Sequence, residues 1–377
     1  MNILIIGGTG ILSTDFTKKT LDEGHNVWIL NRGTRKSFID CRANLIVADL
    51  RGETIECIKA KLRGCSFDVV VDFLSYNPDH IRKSLQIVEG CFRQYVFISS
   101  ATAYVNNGVG MIEEDSTPIG NSDWEYSFNK SQCEEWLAVS DVNYTIIRPY
   151  VTYGISRIPF QIIPDGFHYT LLERIRCEKP VVMLDGGNAI CTLTNTKDFA
   201  NMLYLLLLNP KAYRQAFHIT STTTLPWSKV YELYCKILNR KPVPFTVTLE
   251  DVSKYYPEGY QLLKGDKGKS WVFDNSKIMN AIGGYKTQVD LEEGLRDSVT
   301  YFVENEDMQA IDYGWDGKMD CLIRHVSGIK LHKCDYQKTK NSTKKILYYI
   351  HKNRFTRFVF IILWKLKHRR NEGSKNG

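Results

Sequence analysis

Asn2-Ile3-Leu4-Ile5-Ile6-Gly7-Gly8-Thr9-Gly10-Ile11-Leu12-Ser13 stands almost at the start of the chain. An apolar run of strand length, a cluster of glycines and then the helix-like stretch Ser13–Glu23 predict strand, tight turn and helix in that order. Gly7 permits the turn. Gly10 lets the backbone approach a pyrophosphate at the helix N-terminus, where free N–H groups favour an anion. Glycines also serve ordinary turns, but here the run opens a strand–helix–strand repeat, which is the context a dinucleotide-binding turn requires.

Reading outward, strand-like segments rich in Val and Ile recur at Asn26–Leu30, Leu45–Ala48, Asp68–Phe73, Tyr95–Ser99 and Tyr144–Ile147. Helix-like stretches lie between them at Asp79–Gly90 and Tyr126–Ser140. Continuous apolar strands alternating with helices predict an α/β fold, a doubly wound parallel sheet of Rossmann type covered on both faces. After Arg148-Pro149 the pattern is mixed. Tyr169–Arg176, Asp198–Leu208 and Trp227–Asn239 read as helices, and Val181–Leu193 as two short strands around the turn Asp185–Asn188. Tyr313–Lys330 has no clear periodicity and reads as the exit from the folded body. The expected organisation is a nucleotide-binding domain over 1–155, a smaller mixed α/β substrate portion over 156–312, and an exit segment with a basic tail over 313–377.

With 377 residues, 43% hydrophobic and 24% charged, the chain is too long for one simple core and too ordinary in composition to be disordered or fibrous. Its ten Cys residues are scattered without a C-x-x-C pair, so neither a zinc knuckle nor a disulfide framework is expected, and reduced thiols in a cytoplasmic compartment are. His25, His80, His168 and His218 have no metal-ligand spacing. Met1–Ile6 does not read as a secretory leader, because Gly7 follows at once and no basic stretch precedes it. No apolar run approaches the ~18 residues of a membrane span.

The formal net charge of +7 is unevenly spread. From Lys333 to Gly377, thirteen Lys or Arg stand against two carboxylates, which gives this segment +11 and leaves −4 for the rest. A mildly acidic body argues against nucleic-acid binding. The tail mixes bases with apolar residues, including Phe358-Val359-Phe360-Ile361-Ile362-Leu363-Trp364. That pattern over 344–370 fits an interfacial helix on an anionic membrane surface, with docking on its own domain or on a second subunit, and then nucleic acid, as the alternatives.

Two further features carry chemistry. Asn31 follows Gly10 by 21 positions, where an acidic residue would hold the ribose 2′-hydroxyl of NAD; with no carboxylate there and Arg32 beside it, a 2′-phosphate and hence NADP is favoured. Asp49, after the third strand, can accept from the adenine amino group. In Tyr126-Ser127-Phe128-Asn129-Lys130, Tyr and Lys at i and i+4 share one helix face, so the ammonium can stabilise a phenolate. Such a Tyr can pass a proton to or from a hydroxyl or carbonyl while hydride moves to or from nicotinamide. The pair follows a strand ending Ser99-Ser100-Ala101-Thr102-Ala103-Tyr104, whose hydroxyls emerge at the edge where open α/β sheets bind ligands. Glu113-Glu114-Asp115 reads as a solvated loop, Trp227, Tyr231 and Tyr234 as a core stripe, and Cys133 as packing.

Together with Arg148-Pro149-Tyr150-Val151-Thr152-Tyr153-Gly154, these motifs resemble the extended short-chain dehydrogenase/reductase family, its NAD-dependent epimerase/dehydratase or nucleotide-sugar group. The resemblance covers about the first 155 residues in family order and continues more weakly through Thr194–Asp198 to about residue 310. It implies a triad of Ser100, Tyr126 and Lys130, with Tyr126 the acid/base. It implies cofactor contacts from Gly7, Thr9, Gly10, Ile11, Leu12, Asn31, Arg32, Asp49, Leu50, Phe73, Leu74, Tyr126 and Lys130, and substrate contacts from Ser100, Thr102 and Tyr153. No metal is implied, and a homodimer is. Ser13 in the third small position and Asn31-Arg32-Gly33 resemble an atypical branch that includes chloroplast stem-loop-binding proteins. By this resemblance the chain is expected to be an NADP-preferring reductase of a keto-sugar nucleotide, such as a dTDP-4-keto-6-deoxyhexose. An NAD-dependent 4-epimerase is the alternative within the family, and a non-catalytic nucleotide- or RNA-binding protein the alternative outside it. Ala101-Thr102 stands where a 4,6-dehydratase would carry an acidic pair, which disfavours water elimination.

Overall fold

A computed structural model of the chain describes residues 1–334 and 341–373, with side chains to residue 363. Of the tail's bases, Lys338, Lys340 and Lys375 lie outside the described residues, and Lys365, Lys367, Arg369 and Arg370 are described by backbone alone. The first half runs β1 (Asn2–Ile6), α1 (Ile11–Asp22), β2 (Asn26–Asn31), β3 (Asn44–Val47) and α2 (Ile55–Lys61). It continues through β4 (Val69–Asp72), α3 (Pro78–Ile87), β5 (Gln94–Ile98), α4 (Glu125–Ala138) and β6 (Tyr144–Pro149).

Six strands and Gln215–Ile219 form one seven-stranded sheet, in the order Gln215–Ile219, β6, β5, β4, β1, β2, β3, with every pairing parallel. Strand order reverses between β1 and β4, so a crevice opens at their carboxyl ends, the place where open α/β sheets take ligands. The central strands are buried on both faces. Ile3, Ile5, Val69, Val71 and Val96 pack on one side with Phe16 of α1, and Leu4, Ile6, Val70 and Phe97 pack on the other with Ile81 of α3 and Leu137 of α4. Burial on both faces is why these strands read as unbroken apolar runs.

The chain divides into two compact units that interleave: 1–159, 189–225 and 264–294 in the first, 160–188, 226–263 and 295–377 in the second. This differs from successive portions meeting near 155 and 312. In the second unit, Val181–Leu184 pairs in parallel with Pro244–Val247 and not with the nearby strand Ile190–Thr192, so the expected hairpin around Asp185 does not form.

Tyr313–Ser327 is also not an exit segment. It is a 15-residue helix with ten buried residues, among them Trp315, Met319, Leu322 and Ile323, and it forms the centre of the second unit's core. Its buried Asp316 and Asp320 meet Arg174 and Lys179: Lys179 Nζ lies 2.9 Å from Asp316 and 2.8 Å from Asp320, and Arg174 pairs with both carboxylates. The Tyr348 hydroxyl, from the helix Ile346–His351, donates to Asp320 at 2.7 Å. Two cations against two anions, with none of the four side chains more than 5% exposed, explain how four charges sit in a core.

Candidate active site

The turn after β1 is built on backbone that side chains avoid. Gly7 and Gly8 have φ of +117° and +79°, and a Cβ on Gly8 would stand 2.6 Å from Ile29 Cγ2 of β2. Absence of side chains therefore both permits the turn and keeps open a cradle beside the N-terminus of α1. Ser13, buried in the first turn of α1, accepts from Gly10 N–H at 2.8 Å, so the hydroxyl that replaces a third glycine ties the turn to the helix. Thr9, Ile11 and Leu12 flank this turn half-buried.

At the end of β2 the Asn31 amide donates to Gly7 O at 2.7 Å and its carbonyl accepts from Gly33 N–H at 2.7 Å. Asn31 is thus a positioning residue, with its polar atoms engaged in joining two turns. Arg32 next to it is exposed. Asp49, after β3, accepts from Arg51 N–H at 3.0 Å; that bond, with a smaller effect of the Arg32 charge, holds its carboxyl below the usual carboxylate range. Leu50 packs at the edge of the core. After β4, Phe73 lies against Phe16, with ring centroids 5.9 Å apart, and Leu74 is exposed over Gly7.

Asp72 gave no sign of its importance in the sequence. Fully buried at the end of β4, it accepts from Leu74 N–H, Ser75 N–H, the Ser75 hydroxyl and the Tyr95 hydroxyl, at 2.6 to 2.9 Å. Four donors fix the loop after β4, and with it the Ser75 carbonyl. Lys130 of α4, also buried, donates to that carbonyl at 2.6 Å and to Ile98 O at 2.7 Å. The ammonium is thereby held at the ends of β4 and β5, 5.9 Å from the centroid of the Tyr126 ring one turn back.

Tyr126 is half-buried, with Trp124 at 4.8 Å and Tyr76 at 6.1 Å between ring centroids. Asn129 Nδ2 donates to the Tyr76 hydroxyl at 3.0 Å, which fixes the second of these rings. Ser100 and Thr102, just beyond β5, share a 2.8 Å hydrogen bond between their hydroxyls. The neighbouring Ser99 is used differently. It donates to Glu134, which also receives the Arg148 guanidinium, in a buried support under α4. Cys133 lies in that same layer, its thiol pushed up to about 12 by burial, which suits packing and not nucleophilic chemistry. Tyr153 is 1% exposed and stands against Gly294, so its side chain belongs to the packing.

The segment Lys264–Ser270, which the sequence did not single out, is brought to the same end of α4. Asn121 Nδ2 bridges Thr102 O and Gly265 O, each at 2.9 Å, and Lys264 and Lys269 hold Asp123 at 2.7 and 3.0 Å. Lys267 is buried, pushed down to about 8 by that burial, with its ammonium 5.9 Å from the Tyr150 ring centroid. Glu114 departs from the solvated loop expected. Its buried carboxylate accepts from His218 N–H at 3.0 Å, and burial pushes it up to about 7.

The glycine turn and the Tyr126–Lys130 pair thus both lie at the carboxyl edge of the sheet, where open α/β sheets bind ligands.

The sequence model described as the NAD dependent epimerase/dehydratase family matches residues 3–219. Chloroplast stem-loop binding protein of 41 kDa b from Arabidopsis thaliana is 24% identical over 314 residues, 78% of either chain. Among solved structures, the epimerase Mth375 from Methanothermobacter thermautotrophicus gives a TM-score of 0.66 at 15% identity, over 82% of this chain and 94% of that one. UDP-glucuronic acid 4-epimerase from Bacillus cereus, in complex with UDP-glucuronic acid and NAD, gives 0.64 at 18% identity, over 81% of this chain and 99% of that one. At these identities the two structures share a fold with this chain.

Proposed function

The chain belongs to the NAD dependent epimerase/dehydratase family, and on that premise we propose that it is an NADP-preferring enzyme that reduces a keto group on a nucleotide-activated sugar. The observation that carries the reading is the Tyr126–Lys130 pair, one turn apart on α4, with Lys130 anchored to two main-chain carbonyls at the sheet's carboxyl edge. A lysine fixed in this way holds its ammonium beside the phenol, where it can stabilise the oxygen from which Tyr126 gives up its proton.

When bound, the nicotinamide supplies the hydride donor or acceptor. The chain's own residues do the rest. The Tyr126 hydroxyl delivers a proton to the sugar's carbonyl oxygen, and the Ser100 hydroxyl, oriented by Thr102, donates a second hydrogen bond to that oxygen. Trp124 and Tyr76 hold the phenol ring in place. Lys264 and Lys269, which share one carboxylate, Asp123, leave a net positive charge near the N-terminus of α4, which suits the diphosphate of a nucleotide sugar.

NADP preference rests on exposed Arg32 at the end of β2, in a position without a carboxylate. A 4-epimerase is the second reading within the family, motivated by the fold shared with the Bacillus cereus enzyme. The reading from another class is a nucleotide- or RNA-binding protein, motivated by the likeness to the Arabidopsis stem-loop binding protein. The test is to release and identify any nucleotide that co-purifies, then to follow NADPH oxidation with keto-sugar nucleotides. Stoichiometric oxidation supports the reductase. Retained NAD with interconversion of sugar epimers would replace it with the epimerase, and RNA binding without turnover would replace both.

A further inference from the structure

We propose that the outward face of the helix Arg354–Gly373 is a docking surface for an anionic lipid bilayer, a role that goes beyond the nucleotide-sugar reading and does not depend on it. Phe355, Phe358, Val359, Ile362 and Leu363 follow the spacing i, i+3, i+4, i+7, i+8, which places them on one side of a helix. All five are exposed, Phe355 at 73%, Phe358 at 63% and Leu363 at 61%. An amphipathic helix ordinarily turns such a stripe into its own core; this one turns it out.

The opposite side, on which Ile361 is still 38% exposed, is held at two residues. Arg357 donates to both Glu258 oxygens, at 2.7 and 3.0 Å, and to Tyr255 O at 3.2 Å. Glu258 also pairs with Lys318 of the core helix Tyr313–Ser327. Phe360 packs edge-on against His351, with centroids 5.7 Å apart. The helix therefore has a seat on its own unit and still presents a large apolar surface, of the kind that marks an interaction site.

Charge identifies the occupant. From Asn341 to Asn371 there are nine Lys or Arg and no carboxylate. Lys344, Lys345 and Arg354 are exposed together with apolar Ile346 and Tyr349 on the preceding turns. A second copy docked through this face would set like charges against each other, because a two-fold contact brings the same patch to itself. Anionic headgroups have the complementary sign, and an apolar stripe flanked by bases is how a helix lies in the plane of a membrane interface. Among the described residues no helix is long and apolar enough to cross a bilayer, so the contact is parallel to the surface.

The test uses the full chain in flotation with vesicles of phosphatidylcholine alone, and with phosphatidylcholine containing about 30% phosphatidylglycerol. The chain is expected to float with the anionic vesicles only, and to detach as salt is raised. Replacing Phe355, Phe358, Ile362 and Leu363 together by Ser is expected to lower partitioning by about a hundredfold or more, since each side chain is worth up to about tenfold at an interface. The far-UV circular dichroism spectrum and thermal unfolding midpoint of this variant, measured in parallel, are expected to match the wild type, which shows that it is folded. The proposal fails if the wild type ignores anionic vesicles, or if the folded variant floats as well as the wild type. It fails too if light scattering shows a wild-type oligomer that the substitutions dissociate, because a second copy would then cover the stripe.

Discussion

The Asn31 side chain joins the turn after β1 to the turn after β2 by donating to the Gly7 carbonyl at 2.7 Å. The residue at the position that would select between cofactors is therefore spent on holding the pyrophosphate turn. In the function proposed above, selection falls to Arg32, which is exposed beside it.

Arg32→Ala is accordingly expected to weaken NADPH binding by about tenfold or more, the worth of a charged hydrogen bond, and to leave NADH binding unchanged. Fluorescence titration with both nucleotides checks this; an equal loss for the two would remove Arg32 from the 2′-phosphate. Asn31→Asp is expected to weaken both, because a carboxylate cannot donate to Gly7.

Tyr126→Phe keeps the ring between Trp124 and Tyr76 and removes only the hydroxyl. Turnover of a keto-sugar nucleotide is expected to fall by about 10²- to 10⁴-fold, with NADPH affinity retained. Steady-state kinetics beside a binding titration separates this from general damage, and undiminished turnover would exclude Tyr126 as the proton donor.

Glu114 and His218 should produce opposing pH effects on stability. Burial raises Glu114 to about 7 from an ordinary 4.5 and lowers His218 to about 4 from 6.5. The folded state thus holds a proton on Glu114 that the unfolded chain gives up, and stability from this group is lost as pH rises from 4.5 through 7. For His218 the unfolded chain holds the extra proton, and stability is gained as pH rises from 4 to 6.5. Between 4.5 and 6.5 the two slopes, each about 1.4 kcal/mol per pH unit at most, offset each other. Glu114→Gln keeps the acceptor for His218 N–H and removes one slope. Its denaturant stability is expected to climb with pH over that window while the wild type stays nearly flat; parallel curves would refute the assignment.

Lys179→Met deletes one cation from the buried group formed with Arg174, Asp316 and Asp320. An unmatched carboxylate in the core is expected to cost about 3 to 5 kcal/mol. Urea unfolding followed by tryptophan emission should register this, because Trp315 lies in the same helix. A loss below about 1 kcal/mol would mean that water reaches the group.

What was legible in the sequence follows from which interactions are local. The glycine turn, the apolar strands and the Tyr126–Lys130 spacing each announce themselves within a few residues. Asp72 does not: three of its donors are local, but an Asp two or three residues before a Leu-Ser pair is no distinctive pattern, and its burial under the Tyr95 hydroxyl comes from β5. Lys264–Ser270 carries no local signal, because its partners Asn121 and Asp123 at the end of α4 lie more than a hundred positions earlier. Tyr313–Ser327 hides its helical period for a third reason. Asp316 and Asp320 are buried by pairing with Arg174 and Lys179, and a count of apolar positions scores both as exposed.

Gly317, midway along that helix, carries one more implication. A Cβ there would overlap the main-chain carbonyl of Tyr348, so the backbone of Ile346–His351 rests directly on the glycine. The tail is consequently not a detachable module. Its seat is moulded by a missing side chain, and truncation before residue 346 would leave Asp320 without its tyrosine donor. Any larger residue at 317 would evict the segment, which makes this single glycine, together with a tyrosine some thirty positions on, a signature by which the same C-terminal arrangement can be sought in other chains.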